Sequence, residues 1–114
     1  MQLSSFPLTL LASPTYSDPR FKRILWDLIC CTRGGVNRAR IIEMLISQPA
    51  NPNQVATKLR IDYKTVMHHL RVLTDNGLLI TDKECYGAVY FLTPVMELNI
   101  QSLVEILAKV KRGI

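Results

Sequence analysis

Apolar side chains recur with a helical period from Phe21 to Leu73, with a period of two from Leu78 to Leu92, and at helical steps again from Met96 to Val110. Phe21, Ile24, Leu25, Leu28 and Ile29 follow at i, i+3, i+4, i+7 and i+8, which predicts a helix over 20–32. Asp18-Pro19 opens it with a side chain that accepts orphan N–H groups and a proline suited to the first turn. Gly34-Gly35 ends it, as a hinge or close-approach turn. A second helix is predicted from a cap at Asn37, with Ile41, Ile42, Leu45 and Ile46 on one face, and Pro49 stops it. Asn51-Pro52-Asn53-Gln54 then combines a capping residue, an early proline and a glutamine three positions on. The short helix that follows buries Val55, Ala56 and Leu59. Only Arg60 and Ile61 separate it from Asp62, the next cap, so the two helices must cross steeply.

The helix after Asp62 runs to about Asn76, with Val66, Leu70 and Leu73 inward and Gly77 at the left-handed stop. Leu78 and Ile80 then alternate with Leu79 and Thr81, and Ala88, Tyr90 and Leu92 with Val89 and Phe91. The polar turn 82–87 joins them as a hairpin. Pro94 opens the last helix, whose Met96, Ile100, Leu103, Leu107 and Val110 form a seam at steps of 4, 3, 4 and 3. Residues 1–17 read as a flexible arm with Phe6, Leu8, Leu10 and Leu11 resting on a neighbouring surface. Residues 18–114 read as a single domain. The expected fold is mainly α with a small antiparallel β hairpin: a winged helix-turn-helix with flanking N- and C-terminal helices.

Composition narrows the function. With 48% hydrophobic and 20% charged residues, 114 residues can fill one core. Fourteen Lys+Arg against nine Asp+Glu leave +5, which favours nucleic acid or another anionic surface. The longest uncharged run, Met1 to Ser17, holds two prolines and four serines and lacks a basic start, so neither export nor a membrane partner is expected. Cys30, Cys31 and Cys85 are odd in number, and two are adjacent. That argues against a disulfide framework and for a reducing, cytoplasmic compartment.

The third helix carries the candidate chemistry. Opposite its apolar face stand Tyr63, Lys64, Met67, His68 and Arg71, a stripe of long side chains near the helix start that fits the major groove of DNA. From Arg33 to Lys83 there are eight basic residues and four acids, a net +4 on the segment that would face phosphates. Arg38, Arg40 and Lys58 are expected to contact phosphates and Lys83 to act from the wing. His69, beside the core face, is expected to order the turn or touch a phosphate. His68 and His69 point about 100° apart on a helix and find no further metal ligands, so no metal or cofactor is expected. No acid or nucleophile pairs with them at a usable spacing, which argues against an enzyme.

The stretches Arg33-Gly34-Gly35-Val36-Asn37-Arg38-Ala39-Arg40-Ile41-Ile42, Asp62 to Leu73, Asn76-Gly77-Leu78 and Tyr86-Gly87-Ala88-Val89-Tyr90 resemble the ArsR-like winged helix-turn-helix regulators, especially versions common in archaea. The resemblance spans about half of the chain. It implies a homodimeric DNA-binding transcription regulator, more readily a repressor, whose 62–76 helix enters the major groove. Metal-sensing members carry Cys-x-Cys before the reading helix or Asp/His pairs on the last helix. Here 53–59 holds no Cys and 94–114 neither Asp nor His, so metal control of that kind is not expected.

Dimerisation is expected through Phe21, Leu25 and Leu28 on the first helix and Met96, Ile100, Leu103, Leu107 and Val110 on the last. Two other readings remain open at this point. One is a winged-helix module that binds a transcription protein through the 96–110 seam or the 6–11 arm. The other is a sensor variant responding to thiol chemistry or metal through Cys30, Cys31 or Cys85. Cys30 and Cys31 otherwise read as small buried hydrophobes.

Overall fold

Asp18 starts the first helix as expected. Its carboxylate accepts the Arg20 N–H at 3.0 Å, and Pro19 fills the first turn of α1 (Pro19–Cys30). A computed structural model of the protein describes residues 18–82 and 88–111. The 1–17 arm, Lys83, Cys85 and the Tyr86-Gly87 part of the wing lie outside the described residues.

The second helix, α2 (Gly35–Ser47), begins ahead of the expected cap at Asn37. Its N-cap is Gly34, with no side-chain cap. Asn37 lies inside the helix, where its Oδ1 accepts from Arg40 Nη1 at 3.2 Å. The helix can begin early because Gly35 has no Cβ: one placed there would stand 1.9 Å from the Ile29 carbonyl oxygen. The close approach of α1 and α2 therefore depends on that glycine.

Asn51 and Gln54 form a reciprocal capping box at 2.9 and 2.8 Å on α3 (Pro52–Leu59). Arg60 ends α3 in the left-handed region, at φ 57° and ψ 48°. Asp62 Oδ2 accepts the Thr65 N–H at 3.2 Å and starts α4 (Tyr63–Asp75). Gly77 at φ 80° turns the chain, and the Leu78 N–H returns to Leu73 O at 2.9 Å, closing the end of α4.

The hairpin is shorter than the alternation predicts: β1 (Leu79–Thr81) and β2 (Tyr90–Leu92), antiparallel, with Ile80 opposite Phe91. Leu78 and Leu79 are both buried, because Leu78 still belongs to the packed end of α4 and not to a pleated strand. Ile80 and Phe91 face outward. Ala50 exchanges backbone hydrogen bonds with Tyr90 at 2.8 and 3.4 Å, so the α2–α3 connection acts as a third, one-residue strand that anchors the wing.

The last predicted helix breaks in two, α5 (Pro94–Leu98) and α6 (Ile100–Lys111). The break is at Asn99, fully buried, whose Oδ1 accepts the Asp18 N–H at 3.0 Å while Nδ2 donates to Val95 O at 2.9 Å. A buried amide satisfied this way ties the first and last helices together.

The seam corrects an expectation. Met96, Leu103 and Leu107 are buried in the same core as Phe21 and Leu25, together with Ile41, Ile42, Leu45, Leu70 and Leu73. Leu28, Ile100 and Val110 are half-buried against that core. Phe21, Leu25, Met96, Leu103 and Leu107 therefore hold α1 and α5–α6 onto the winged unit of their own chain, and they offer little to a second chain or to any other protein. Each such side chain contributes about 1.5–3 kcal/mol of burial. Among the described residues no helix is long and apolar enough to cross a membrane.

Candidate nucleic-acid interface

Val66, Leu70 and Leu73 are wholly buried, which fixes the rotation of α4 about its axis. That rotation puts Lys64, His68 and Arg71 in solvent at i, i+4 and i+7. The Tyr63 ring is exposed at the helix start. Met67 differs from the rest of the stripe: it is half-buried and packs against the core, so it borders the face more than it projects from it.

Just before this helix the α3–α4 turn adds two cations. Lys58 is exposed in the last turn of α3, and Arg60 projects from the left-handed turn residue itself. Arg60 is a member of the cationic surface that pattern reading missed. Its position between two caps was the signal, since a turn residue there must point outward.

Arg40 is exposed but engaged. Its Nη2 donates to Leu59 O at 2.7 Å and Nη1 to Asn37, so it ties α2 to the end of α3. Arg40 from α2 and Lys58 from α3 help line an open groove of about 850 Å³ between those helices, with Met44, Ala50 and Leu59 among its apolar lining.

Arg38 is not on this surface, which corrects its assignment as a phosphate contact. It is 5% exposed; Nε donates to Leu28 O at 2.9 Å, Nη2 to Thr32 Oγ1, and Nη1 faces His69 Nδ1 at 3.1 Å. Burial lowers its pKa from the usual arginine range. His69 is likewise 5% exposed, and burial, then Arg38, then His68 push its pKa below the ordinary histidine value. It therefore serves the turn between α1 and α2 and is withdrawn from phosphates.

Positive charge is distributed unevenly. The ion pairs among the described residues are Lys22–Glu105, Arg23–Asp27 and Lys111–Glu43, and Lys109 lies 5.1 Å over the Trp26 ring. All involve α1 or α6. Lys58, Arg60, Lys64 and Arg71 take part in none of them.

Cys30 and Cys31 lie at the end of α1 and not on α4. Cys30 is half-buried, and its pKa is raised by burial and then by Cys31, with Lys109 acting in the opposite sense. Cys31 is exposed at the end of α1, unlike the buried residue expected there. Among the described residues no three His, Cys, Asp or Glu side chains cluster as metal ligands.

Known proteins bear on this geometry. Residues 35–81, α2 through β1, match the family described as bacterial regulatory protein, arsR family. No curated protein matches the chain. Reduced HlyU from Vibrio cholerae N16961 superposes with a TM-score of 0.55 at 20% identity, over 81% of this chain and 90% of that one. A second structure of HlyU from the same organism gives 0.58 at 17% identity, over 86% and 100%. Helix, helix, tight turn, helix and hairpin, matched over nearly the whole length of HlyU, make the fold a winged helix-turn-helix whose helix-turn-helix segment is similar to that of the arsR family.

Proposed function

We propose that the protein is a sequence-specific double-stranded DNA-binding transcription regulator that acts by binding and not by catalysis. The carrying observation is the exposed stripe Lys64, His68 and Arg71 on a helix whose other face is locked into the core. A helix of this kind enters the major groove, where Arg71 favours a guanine edge. Lys58 and Arg60, with Tyr63 at the helix start, supply phosphate contacts that set its register. Lys83 extends the contact from the wing. The arsR-family match over 35–81 supports the same reading.

The working unit is a homodimer that represses by occupying its operator. With the inner seam spent on the core, pairing falls to the outer face of α1 and α6. Val104, 53% exposed, stands there between half-buried Ile100 and Ala108. Two copies present two α4 helices to half-sites about 34 Å apart, one helical turn of DNA.

Selection of duplexes from a random pool by the purified protein, at two salt concentrations, tests this reading. A shared motif with two half-sites is expected, with affinity falling steeply as salt rises, by about 0.9 log units per log unit of salt for each phosphate contact. Recovery of random sequence, or affinity indifferent to salt, would refute it. Indifference to salt together with capture of a transcription protein would favour the interaction-module reading.

A further inference from the structure

Beneath Gly34 a single guanidinium joins two parts of the fold. Arg38 reaches from α2 to the Leu28 carbonyl at the end of α1, to the Thr32 hydroxyl in the following turn, and to His69 on the reading helix. A Cβ at Gly34 would stand 2.6 Å from His69 Cε1 and 2.8 Å from Arg38 Nη1, so the turn closes directly over the pair.

Arginine has donors only, so the nitrogen facing it must accept. His69 Nδ1 therefore carries a lone pair, with the ring proton on Nε2 and the imidazole neutral. We propose that Arg38 and His69 are positioning residues that hold α4 in register with the α1–α2 turn, and that DNA binding requires the neutral form of His69. The proposal rests on the reading of α4 as the DNA-contacting helix.

Protonation would place an N–H on Nδ1 facing the guanidinium N–H at 3.1 Å, two cations with no acceptor between them. The contact cannot survive that change. The groups acting on the ring's charge are Arg38 from α2 and His68 from its own helix; among the described residues α3 and β1 bring it no charged group, and no carboxylate offsets the repulsion. All the influences on His69 favour the neutral ring, so the contact is intact near neutrality and fails only in acid.

The sequence-level motif explains none of this, because a phosphate contact and a buried clamp place an arginine at the same position in the chain. What distinguishes them is the acceptor 31 residues away.

The experiment has two readouts on the full chain. Nitrogen-detected NMR titration of His69 is expected to show the Nε2–H form and a midpoint below the ordinary value of about 6.5. DNA affinity is then measured against pH on a duplex selected from a random pool. His68 is a second imidazole beside His69 on the same helix, so the parent is His68→Gln. The comparison is that parent with and without His69→Asn, whose Oδ1 keeps an acceptor near the Nδ1 position and does not titrate. One pH unit below the His69 midpoint about a tenth of the rings remain neutral, so the parent loses affinity about tenfold and the Asn variant holds. A His69 midpoint at or above the ordinary value, or the same acid loss with Asn in place, overturns the proposal. If the unmodified protein binds no duplex near neutral pH, the DNA-binding reading falls, while the NMR titration still decides whether the Arg38–His69 contact exists.

Discussion

Replacing Gly35 by alanine tests whether α1 and α2 meet as closely as described. The new methyl carbon would lie 1.9 Å from the Ile29 carbonyl oxygen, where contacts under 3.0 Å are essentially never seen. Its neighbour is backbone, the last turn of α1, and cannot rotate aside as a side-chain tip would. Overpacking of this kind costs about 1–3 kcal/mol, and the upper end applies when backbone must move. Alanine's advantage over glycine within a helix returns about 1 kcal/mol. The expected net loss is about 2 kcal/mol, equivalent to lowering the urea midpoint by about 1 M with the slope unchanged. Urea unfolding followed by circular dichroism reads both. A midpoint equal to or above that of the unmodified protein would refute the close corner, and with it the account of why α2 starts at Gly35 and not at Asn37.

Asn51→Ala removes the capping box of α3 and is expected to lower stability by about 1 kcal/mol in the same urea assay; an unchanged midpoint counts against the cap. Arg71→Ala should weaken a selected duplex by about 1–3 kcal/mol while leaving the urea midpoint alone, since the side chain is exposed; equal affinity would remove Arg71 from the groove. Leu103→Asp buries a carboxylate in the core and should abolish the helical circular dichroism signal at every protein concentration. A folded monomer from that variant would instead reinstate the seam as an interface between chains. For His69 the folded pKa lies below the unfolded one, so stability is fully present above about pH 6.5 and falls as pH drops toward the folded midpoint. Urea midpoints across that range should decline more in the unmodified protein than in His69→Asn, and parallel declines would contradict the burial of a neutral ring.

Periodicity and punctuation located the helices, the tight turn and the wing, because apolar spacing and caps act within a few residues. They were less informative where a polar residue occupies an inward position. Arg38 precedes Ile41, Ile42 and Leu45 at core spacing, His69 falls between Val66 and Leu73, and Asn99 lies between Met96 and Leu103. All three are buried. Reading by residue type sent Arg38 outward to phosphate, because lone arginines are seldom buried. What permits burial is a partner distant in sequence: His69 for Arg38, and the Asp18 N–H, 81 residues away, for Asn99. The Asn99 junction likewise explains why one predicted helix became two. The half-paired strand at Ala50 was equally hidden, since a single bridging residue leaves no alternation to read.

The fate of the terminal seam and the sidedness of charge have a common origin in the size of the domain. Three short helices and a hairpin enclose a small apolar core, and the flanking helices enlarge it with Phe21, Leu25, Ile29, Leu103, Ile106 and Leu107. Doing so brings α1 and α6 alongside each other and α2, where Glu105, Asp27 and Glu43 neutralise Lys22, Arg23 and Lys111. The carboxylate at the start of α4, Asp62, caps the helix and forms no ion pair with any cation among the described residues. Lys58, Arg60, Lys64 and Arg71 are thus left on the other side without ion pairs, a concentration of like charge that repels itself in the free protein. A partner carrying negative charge along a line would relieve that repulsion and release the counterions that screen it, and α4 carries two of the four cations. The electrostatics thus favour a polyanion on this face independently of any motif in the sequence.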